Sequence, residues 1–186
     1  MNKLLAGALF AAVLGAAGCS AFGNREAREK NPAPCPNILV LMDASRVIEF
    51  DGEERLEDIA YTGEITNAEI VCRYVEDKPI DAEISIDLAF GKGPKGESGE
   101  KVFKYFVAVT RKDLEVIAKN EFLVQTKFDS KKTIVLEKEK IDKIFIPRAG
   151  DHISGTNFEI IVGFSVSRDQ VIFNRSGKSL KFPDLQ

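Results

Sequence analysis

Residues 80–90 read Ile80-Asp81-Ala82-Glu83-Ile84-Ser85-Ile86-Asp87-Leu88-Ala89-Phe90, and this stretch decides the fold. Every even position is apolar, whereas the odd positions are polar as far as Asp87. A β-strand points successive side chains to opposite faces of its sheet, so this period of two predicts a strand with one face in a core and the other in water. The chain is therefore expected to build a sheet that is buried on one side.

Similar alternation recurs along most of the chain after residue 35. It predicts strands over residues 38–42, 46–50, 69–74, 103–109, 114–124, 133–140, 144–146 and 158–166. Arg111-Lys112-Asp113 predicts a tight hairpin turn, and the Gly-rich stretch 91–99 predicts a flexible hairpin connection. Seven or more strands without a long amphipathic helix favour an all-β, antiparallel β-sandwich of immunoglobulin-like or fibronectin-like appearance, and a closed small barrel is the competing architecture.

One short helix is predicted near the C-terminus. Ser167-Arg168-Asp169-Gln170 fits a capping box, in which Ser167 and Gln170 each bond the other's backbone N–H. Apolar residues follow over 171–173, and Gly177 offers a stop. We expect this helix to close one end of the sandwich as a plug over the core.

The N-terminus carries a different pattern. Lys3 precedes an apolar run over residues 4–14, which has the length of a signal-peptide core and is too short to span a bilayer as a helix. Small residues then lead into Ala16-Ala17-Gly18-Cys19, which resembles the lipobox of bacterial lipoproteins. The resemblance implies that signal peptidase II cuts before Cys19, and that Cys19 carries a thioether-linked diacylglycerol and an amide-linked acyl chain. An ordinary secretory signal without lipidation is the alternative.

The same resemblance implies a location. Two or three acyl chains on one residue hold a protein at a membrane, whereas a single chain binds only marginally. The protein is thus expected to be lipid-anchored in the cell envelope and to face the periplasm. Ser20 follows the cysteine where an aspartate favours inner-membrane retention in enterobacteria, so the outer membrane is favoured over the inner one.

Three segments are expected along the chain. Residues 1–18 form the signal peptide, residues 19–34 the lipidated cysteine with a flexible tether, and residues 35–182 a single β-sandwich domain. The tether is rich in charged residues and proline and cannot bury a core, so it should span about 20–23 Å as a flexible chain. A short helix over residues 25–30 is the alternative.

The remaining cysteines, Cys35 and Cys72, are expected to form a disulfide. They are an even pair in an oxidising compartment, which favours a bond over two free thiols. A zinc site is disfavoured because the chain has 1 histidine and no second ligand pair at zinc spacing. The bond is expected to tie two early strands together, not to join the two sheets through the core.

The charge balance disfavours some partners. Without residues 1–18, which hold one lysine and no acid, the 26 basic residues become 25 against 29 acidic ones. A mildly acidic body lacks the basic stripe that nucleic acid requires, and it gives no electrostatic attraction to anionic lipid. The acyl chains alone therefore account for the expected membrane attachment.

Several stretches of the chain resemble a family. The similarity extends over essentially the mature chain, and the family consists of small alphaproteobacterial envelope lipoproteins. It is carried by Cys35-Pro36, Cys72-Arg73-Tyr74, Lys104-Tyr105-Phe106-Val107-Ala108, Phe158-Glu159-Ile160-Ile161-Val162-Gly163-Phe164 and Asp169-Gln170-Val171-Ile172-Phe173-Asn174-Arg175. The resemblance implies the same location and fold, and it transfers no catalytic residue.

Three features invite a catalytic or ligand-binding interpretation. The stretch 91–99 lacks the Gly-Lys-Ser/Thr end of a phosphate-binding loop and precedes a strand where such a loop needs a helix. His152 has Asp151 and Ser154 beside it, but no Gly-x-Ser-x-Gly elbow accompanies them, so turn and capping roles are favoured for both neighbours.

The third feature is the row of acids on the strand 80–90. Asp81, Glu83 and Asp87 could serve glycoside hydrolysis or calcium binding. A solvated face is favoured instead, with Lys101 and Lys104 on the next strand as partners. Accordingly no catalytic residue, metal ion or cofactor is predicted.

The leading functional hypothesis is a non-enzymatic lipoprotein that binds a protein partner or supports a cell-envelope complex. Rigid sandwiches recognise partners through loops or through strand addition at an edge. The candidate surfaces are the loops 91–101 and 148–156 and any open edge. A carrier or sensor for an apolar small molecule, with an interior lined by some of the 13 phenylalanines, is the alternative, and an enzyme of unknown type comes third.

Overall fold

The computed structural model describes residues 34–113 and 115–182, which form two packed four-stranded sheets. The first sheet has the order β1-β8-β5-β6, formed by β1 (Asn37–Val40), β8 (Phe158–Phe164), β5 (Gly99–Arg111) and β6 (Val116–Phe128). The second has the order β2-β3-β4-β7, formed by β2 (Arg46–Phe50), β3 (Ile59–Arg73), β4 (Ile80–Lys92) and β7 (Ile134–Ile146). Neighbouring strands are antiparallel, except that β1 runs parallel to β8. The predicted β-sandwich is therefore confirmed.

The core lies between the two sheets and follows the alternation of β4. All even positions of this strand from Ile80 to Phe90 are almost completely buried. Phe90 stacks on Phe103 of β5 in the opposite sheet, with ring centroids 4.4 Å apart. Since each fully buried aliphatic or aromatic side chain contributes about 1.5–3 kcal/mol, this face alone supplies a large share of the driving force for folding.

Two strands are longer than their sequence pattern predicts. β3 begins at Ile59, ten residues before the predicted strand 69–74, and β7 joins the predicted strands 133–140 and 144–146. The cause in β3 is a bulge between Ile65 and Asn67, which inserts one residue and reverses the phase of the alternation. In β7 the pairing with β4 shifts between Ala82 and Ile84, with the same effect on the pattern.

The connection after β4 is not a hairpin. β4 and β5 belong to different sheets, so residues 93–98 cross from one sheet to the other. The crossing loop is held against β3, because the amides of Gly93 and Lys95 donate to the carbonyls of Ala60 and Ile59, both at 2.9 Å. A Cβ on Gly93 would lie 2.3 Å from the Ile59 carbonyl oxygen, so this close approach requires glycine. The hairpin prediction was wrong because alternation does not say which strands pair. The other predicted hairpin, from β5 to β6, is confirmed.

The disulfide between Cys35 and Cys72 is present, with its two Cα atoms 5.7 Å apart. Cys35 precedes β1 of the first sheet and Cys72 lies in β3 of the second. The bond thus links segments of different sheets, contrary to the expectation that it only ties two early strands. The reason is that β1 leaves its neighbours in sequence and pairs with β8.

Hydrogen bonds reinforce the chain where it enters the sandwich. The Tyr74 hydroxyl donates to the carbonyl oxygen of Pro34 at 2.6 Å and accepts from the amide of Gly155 at 2.8 Å. The Arg148 guanidinium lies 5.2 Å from the centre of the Tyr74 ring and donates to the Lys78 carbonyl at 2.7 Å. The loop 147–157, the turn 74–79 and the start of the described chain are therefore fastened together. We call this end of the sandwich the entry pole.

The predicted C-terminal helix is present as α1 (Arg168–Arg175), and both bonds of the Ser167–Gln170 capping box form. α1 does not plug an end of the sandwich. It lies along the outer edge of β2, where Asn174 Nδ2 donates to the carbonyl of Arg46 at 2.9 Å and Gln170 Nε2 to that of Ile48 at 3.5 Å. These side chains occupy backbone acceptors that an exposed edge strand would otherwise offer to another chain. No helix within the described ranges is long and apolar enough to cross a membrane.

Replacing both cysteines, as Cys35→Ser with Cys72→Ser, should lower the free energy of unfolding by about 4 kcal/mol, because the bond closes a loop with a sequence separation of 37. Urea unfolding followed by circular dichroism measures the difference between this variant and the oxidised protein. Reduced wild-type protein is the control and should match the variant. A free energy of unfolding unchanged in both would contradict this role of the bond.

Candidate functional site: an apolar groove on the second sheet

The two ends of the sandwich differ in what they carry. β4 spans 13 residues, about 43 Å at the usual rise per residue, and runs from the entry pole to the opposite end. The opposite end, which we call the distal pole, holds the loop 51–58, the crossing loop 93–98 and the turn 129–133. The two loops proposed as partner surfaces therefore lie at opposite poles, loop 148–156 beside the chain entry and the crossing loop far from it.

On the outer face of the second sheet, the strand pairings place residues in two rows near the distal pole. One row crosses the strands as Arg46, Glu64, Ala89 and Leu136, and the next as Ile48, Thr62, Gly91 and Ile134. In the second row, Gly91 of the central strand β4 contributes only a hydrogen atom, whereas Ile48 and Ile134 on the outer strands contribute large side chains. The sheet surface is therefore hollowed into a groove over this row, which Arg46 and Glu64 of the first row border.

The groove has a volume of about 320 Å³. Its walls include Leu56 and Pro94 from the distal loops, Ile134 from β7 and Phe182 near the end of the described chain. Leu56 and Ile134 in these walls are 54% and 46% exposed, and Leu136, beside the groove on β7, is 70% exposed. A cluster of exposed apolar side chains around a concavity is typical of a binding surface.

The wall at Phe182 is positioned by an aromatic cluster. The ring of Phe50 at the end of β2 contacts the rings of Phe173 in α1 and of Phe182, with centroids 5.9 and 5.5 Å away. Phe173 and Phe182 are themselves 6.0 Å apart. α1 therefore has a second role besides covering β2, since it carries the ring that holds this side of the groove.

An ion pair lies at the edge of the groove facing the middle of the sheet. Arg46 Nη2 and Glu64 Oε1 are 2.8 Å apart, and their side chains are only 15% and 16% exposed. Both residues line the groove. At such low exposure water screens the charges weakly, so the pair adds a fixed polar feature to an otherwise apolar surface.

The acids singled out in the sequence lie on the same outer face, nearer the entry pole. Glu83 pairs with Lys140 at 2.9 Å and Asp87 with Lys138 at 3.0 Å, and both lysines belong to β7. The hydrogen bond from Lys138, helped by one from Asn67, lowers the pKa of Asp87. A solvated, paired face is thus what these residues form.

The prediction that Lys101 and Lys104 pair with these acids was wrong. Lys101 pairs with Glu49, and Lys104 lies 3.6 Å from Glu121, because both lysines are on β5 in the other sheet. The alternating charges Glu137-Lys138-Glu139-Lys140 of β7 lie on an edge strand, where they discourage pairing with another chain.

His152 lies at the entry pole with its side chain 74% exposed, and its Nδ1 is 3.7 Å from Asp151 Oδ1. Ser154 caps the short 3-10 helix Gly155–Asn157, where its hydroxyl accepts from the Thr156 amide, so the predicted capping role is confirmed for this residue. In the part of the chain that the structure describes, no three His, Cys, Asp or Glu side chains are grouped as a metal site requires.

The Gly-rich crossing loop also has a structural use. Its amides at Gly93, Lys95 and Gly96 already donate to backbone carbonyls, an arrangement unlike a phosphate cradle with free amides. Gly93 and Pro94 instead line the groove.

Sequence reasoning missed the groove, although one signal was available. The odd positions of β4 change from charged and polar residues to Ala89 and Gly91 after Asp87, which marks where the outer face stops being a solvated surface. The partners on β2 and β7 that complete the groove follow only from the strand pairings.

Comparisons of the chain with protein-family models, with curated proteins and with solved structures found no match.

Two adjacent residues of β7 provide a test of which face of this strand contributes to the stability of the fold. Val135 is 3% exposed and Leu136 is 70% exposed. Val135→Ser should lower the free energy of unfolding by about 2–4 kcal/mol, because it loses apolar burial and inserts a hydroxyl into the core. Leu136→Ser should change it by no more than about 0.5 kcal/mol. Urea titrations compare the two variants, and similar losses in both would mean that the groove residues belong to the folding core.

Proposed function

We propose that this protein is a non-enzymatic, lipid-anchored lipoprotein of the cell envelope whose β-sandwich binds a protein partner, or supports an envelope complex, through the groove at the distal pole. The observation that carries the proposal is the apolar groove at the pole away from the chain entry, with Leu56 and Ile134 exposed in its walls. Apolar surface gathered around a concavity is typical of an interaction site.

The position of the groove, at the pole opposite the chain entry, is compatible with the expected anchor. Cys19, the proposed lipidation site, lies outside the described residues, and the described chain begins at Pro34 in the entry pole. A tether joined there would place the entry pole toward the membrane and the distal pole toward the periplasm. We place the anchor in the outer membrane in preference to the inner one, on the strength of Ser20.

The surface of the groove suits protein recognition. Leu56 and Ile134 are exposed apolar anchors in the groove wall, and Leu136 lies beside them on β7. Interfaces derive most of their affinity from a few such anchors surrounded by polar residues. The partly buried Arg46–Glu64 pair supplies a polar boundary on one side.

Removing the proposed lipid site tests the anchor. Cys19→Ser should abolish incorporation of radiolabelled palmitate and move the protein from the membrane fraction to a soluble fraction, because the acyl chains are the proposed means of attachment. Cys35→Ser, which leaves Cys19 intact, is the matched control and should retain the label. Membrane attachment that persists in the Cys19→Ser variant would refute lipid anchoring at this residue.

Site-specific photocrosslinking in living cells tests the binding site. A benzophenone side chain at position 136 should give a discrete protein adduct, because it replaces an exposed residue beside the groove. The same probe at position 69, on the polar half of the same sheet face, or at position 152, at the entry pole, should not. Leu56→Asp added to the position-136 probe should reduce the adduct several-fold. Equal adducts at all three positions, or none at position 136, would refute the groove as a partner site.

A second candidate function uses the same groove. Its volume of about 320 Å³ lies at the lower end of the roughly 300–1,000 Å³ typical of small-molecule sites, so a carrier or sensor for an apolar small molecule is the alternative. The ligand would bind on the outer face, because core phenylalanines such as Phe90, Phe128 and Phe164 are buried between the sheets. A small-molecule carrier would give no protein adduct at position 136.

A further inference from the structure

The two ends of the groove carry opposite charge. At the β7 end, Lys131 and Lys132 belong to the turn 129–133, directly before the groove residues Thr133 and Ile134. Lys92 lines the groove at the end of β4, and its amide donates to the carbonyl of Thr133 at 2.7 Å. Within the described ranges, none of these three lysines forms an ion pair within 4 Å.

One carboxylate lies at this basic end. Asp129 accepts hydrogen bonds from the backbone amides of Lys131, at 2.7 Å, and Lys132. Those amides, and then the charges of Lys132 and Lys92, lower the pKa of Asp129. Three lysines against one carboxylate leave the β7 end of the groove positive.

The opposite end, at β2 and β3, is negative. The loop 51–58 supplies the wall residue Leu56 and carries Asp51, Glu53, Glu54, Glu57 and Asp58. Arg55 contacts Glu53, Glu57 and Asp58 at 3.6, 3.4 and 2.9 Å, and Lys178 contacts Glu54 at 2.7 Å. The side-chain hydrogen bond from Arg55 and the charge of Lys95 both lower the pKa of Asp58, and Lys181 directly precedes the wall residue Phe182. Five carboxylates therefore face four cations, which leaves this end with a net negative charge.

The groove runs across the strands from the negative end to the positive end. Four strands spaced about 4.8 Å apart give it a length of about 14 Å, which an extended chain covers with four or five residues. Ile48 and Ile134 lie along this path on either side of Thr62 and Gly91, so its middle is mainly apolar with one hydroxyl group. An occupant that matches it needs an apolar centre and opposite charges at its two ends.

On the basis of the function proposed above, we infer that the groove recognises an extended segment of a partner protein, in which an apolar centre is flanked by a basic side chain on the Leu56 side and an acidic side chain on the Lys132 side. Charge complementarity favours this occupant over a fatty acid or a lipid phosphate, which carries one sign of charge only. A single-sign amphiphile would satisfy one end of the groove and be repelled by the other.

Fluorescence anisotropy with labelled hexapeptides tests the inference, using the full-length protein in detergent micelles. The dipolar probe has two central leucines, two lysines on one side and two glutamates on the other. The comparison probes replace the charged residues by four glutamates or four lysines, or the leucines by serines. The dipolar probe should bind about ten-fold more tightly than each comparison probe, and 1 M NaCl should remove most of the advantage over the single-sign probes by screening the exposed charges.

Charge-reversal variants identify the surface that binds the charged end of the peptide probe. Lys131→Glu with Lys132→Glu should weaken the dipolar probe about ten-fold and favour the four-lysine probe, since both ends of the groove are then negative. Lys112→Glu with Lys143→Glu, which changes the same net charge on exposed sites near the entry pole, is the matched control and should leave binding unchanged.

The outcomes separate this inference from the proposed function. Equal binding of the dipolar and single-sign probes, or an equal effect of the two double variants, would overturn the charge pattern, and a groove-specific adduct at position 136 would then leave the proposed function standing. Tight binding of a labelled fatty acid that the dipolar peptide does not displace would overturn the inference in favour of an amphiphile. Dipolar binding in solution without an adduct in cells would uphold the groove chemistry and count against the proposed function.

Discussion

The structure depends on the burial of one face of β4 between the two sheets. Its even positions, from Ile80 to Phe90, supply residues that are almost wholly shielded from water. A slip of one residue in its pairing would move all of them to the surface and bring the acids Asp81, Glu83 and Asp87 inside, at a cost that no other contact could offset. The register of β4 against β3 and β7 is therefore fixed, and with it the position of every residue on the outer face.

The same constraint creates the groove. Because the even side chains of β4 point inward, its odd residues must face outward, and their character changes along the strand. Toward the entry pole they are acids paired with lysines of β7, and toward the distal pole they are Ala89 and Gly91. The residues of β4 therefore contribute to the core, to a solvated surface and to the floor of the groove. The neighbouring strands supply the residues that complete each of these.

The contacts that hold the start of the described chain and the exposed groove lie at opposite ends of the sandwich. At the entry pole, Tyr74, Arg148 and the Cys35–Cys72 bond join the start of the described chain to both sheets. At the distal pole, Leu56 and Ile134 remain exposed around the groove, while α1 covers the outer edge of β2. The first arrangement fixes the start of the described chain to the sandwich, and the second leaves the apolar groove open to solvent.

Local features of the sequence sufficed for the sandwich, the capping box of α1 and the turn between β5 and β6, because each depends on residues close together in the chain. The pairing of Cys35 with Cys72 followed from counting cysteines in an expected oxidising compartment. Where a bulge reset the alternation, as at Thr66 in β3, strand ends were misplaced. The crossing of residues 93–98, the lysine partners of the β4 acids and the position of α1 required knowledge of which strands pair. By itself, then, the sequence determined which residues form strands and which faces are buried, since side-chain direction is a local property of the backbone. Only the tertiary structure decided that Ile48, Gly91 and Ile134 share one groove, because strand order is set by the collective burial of both sheets.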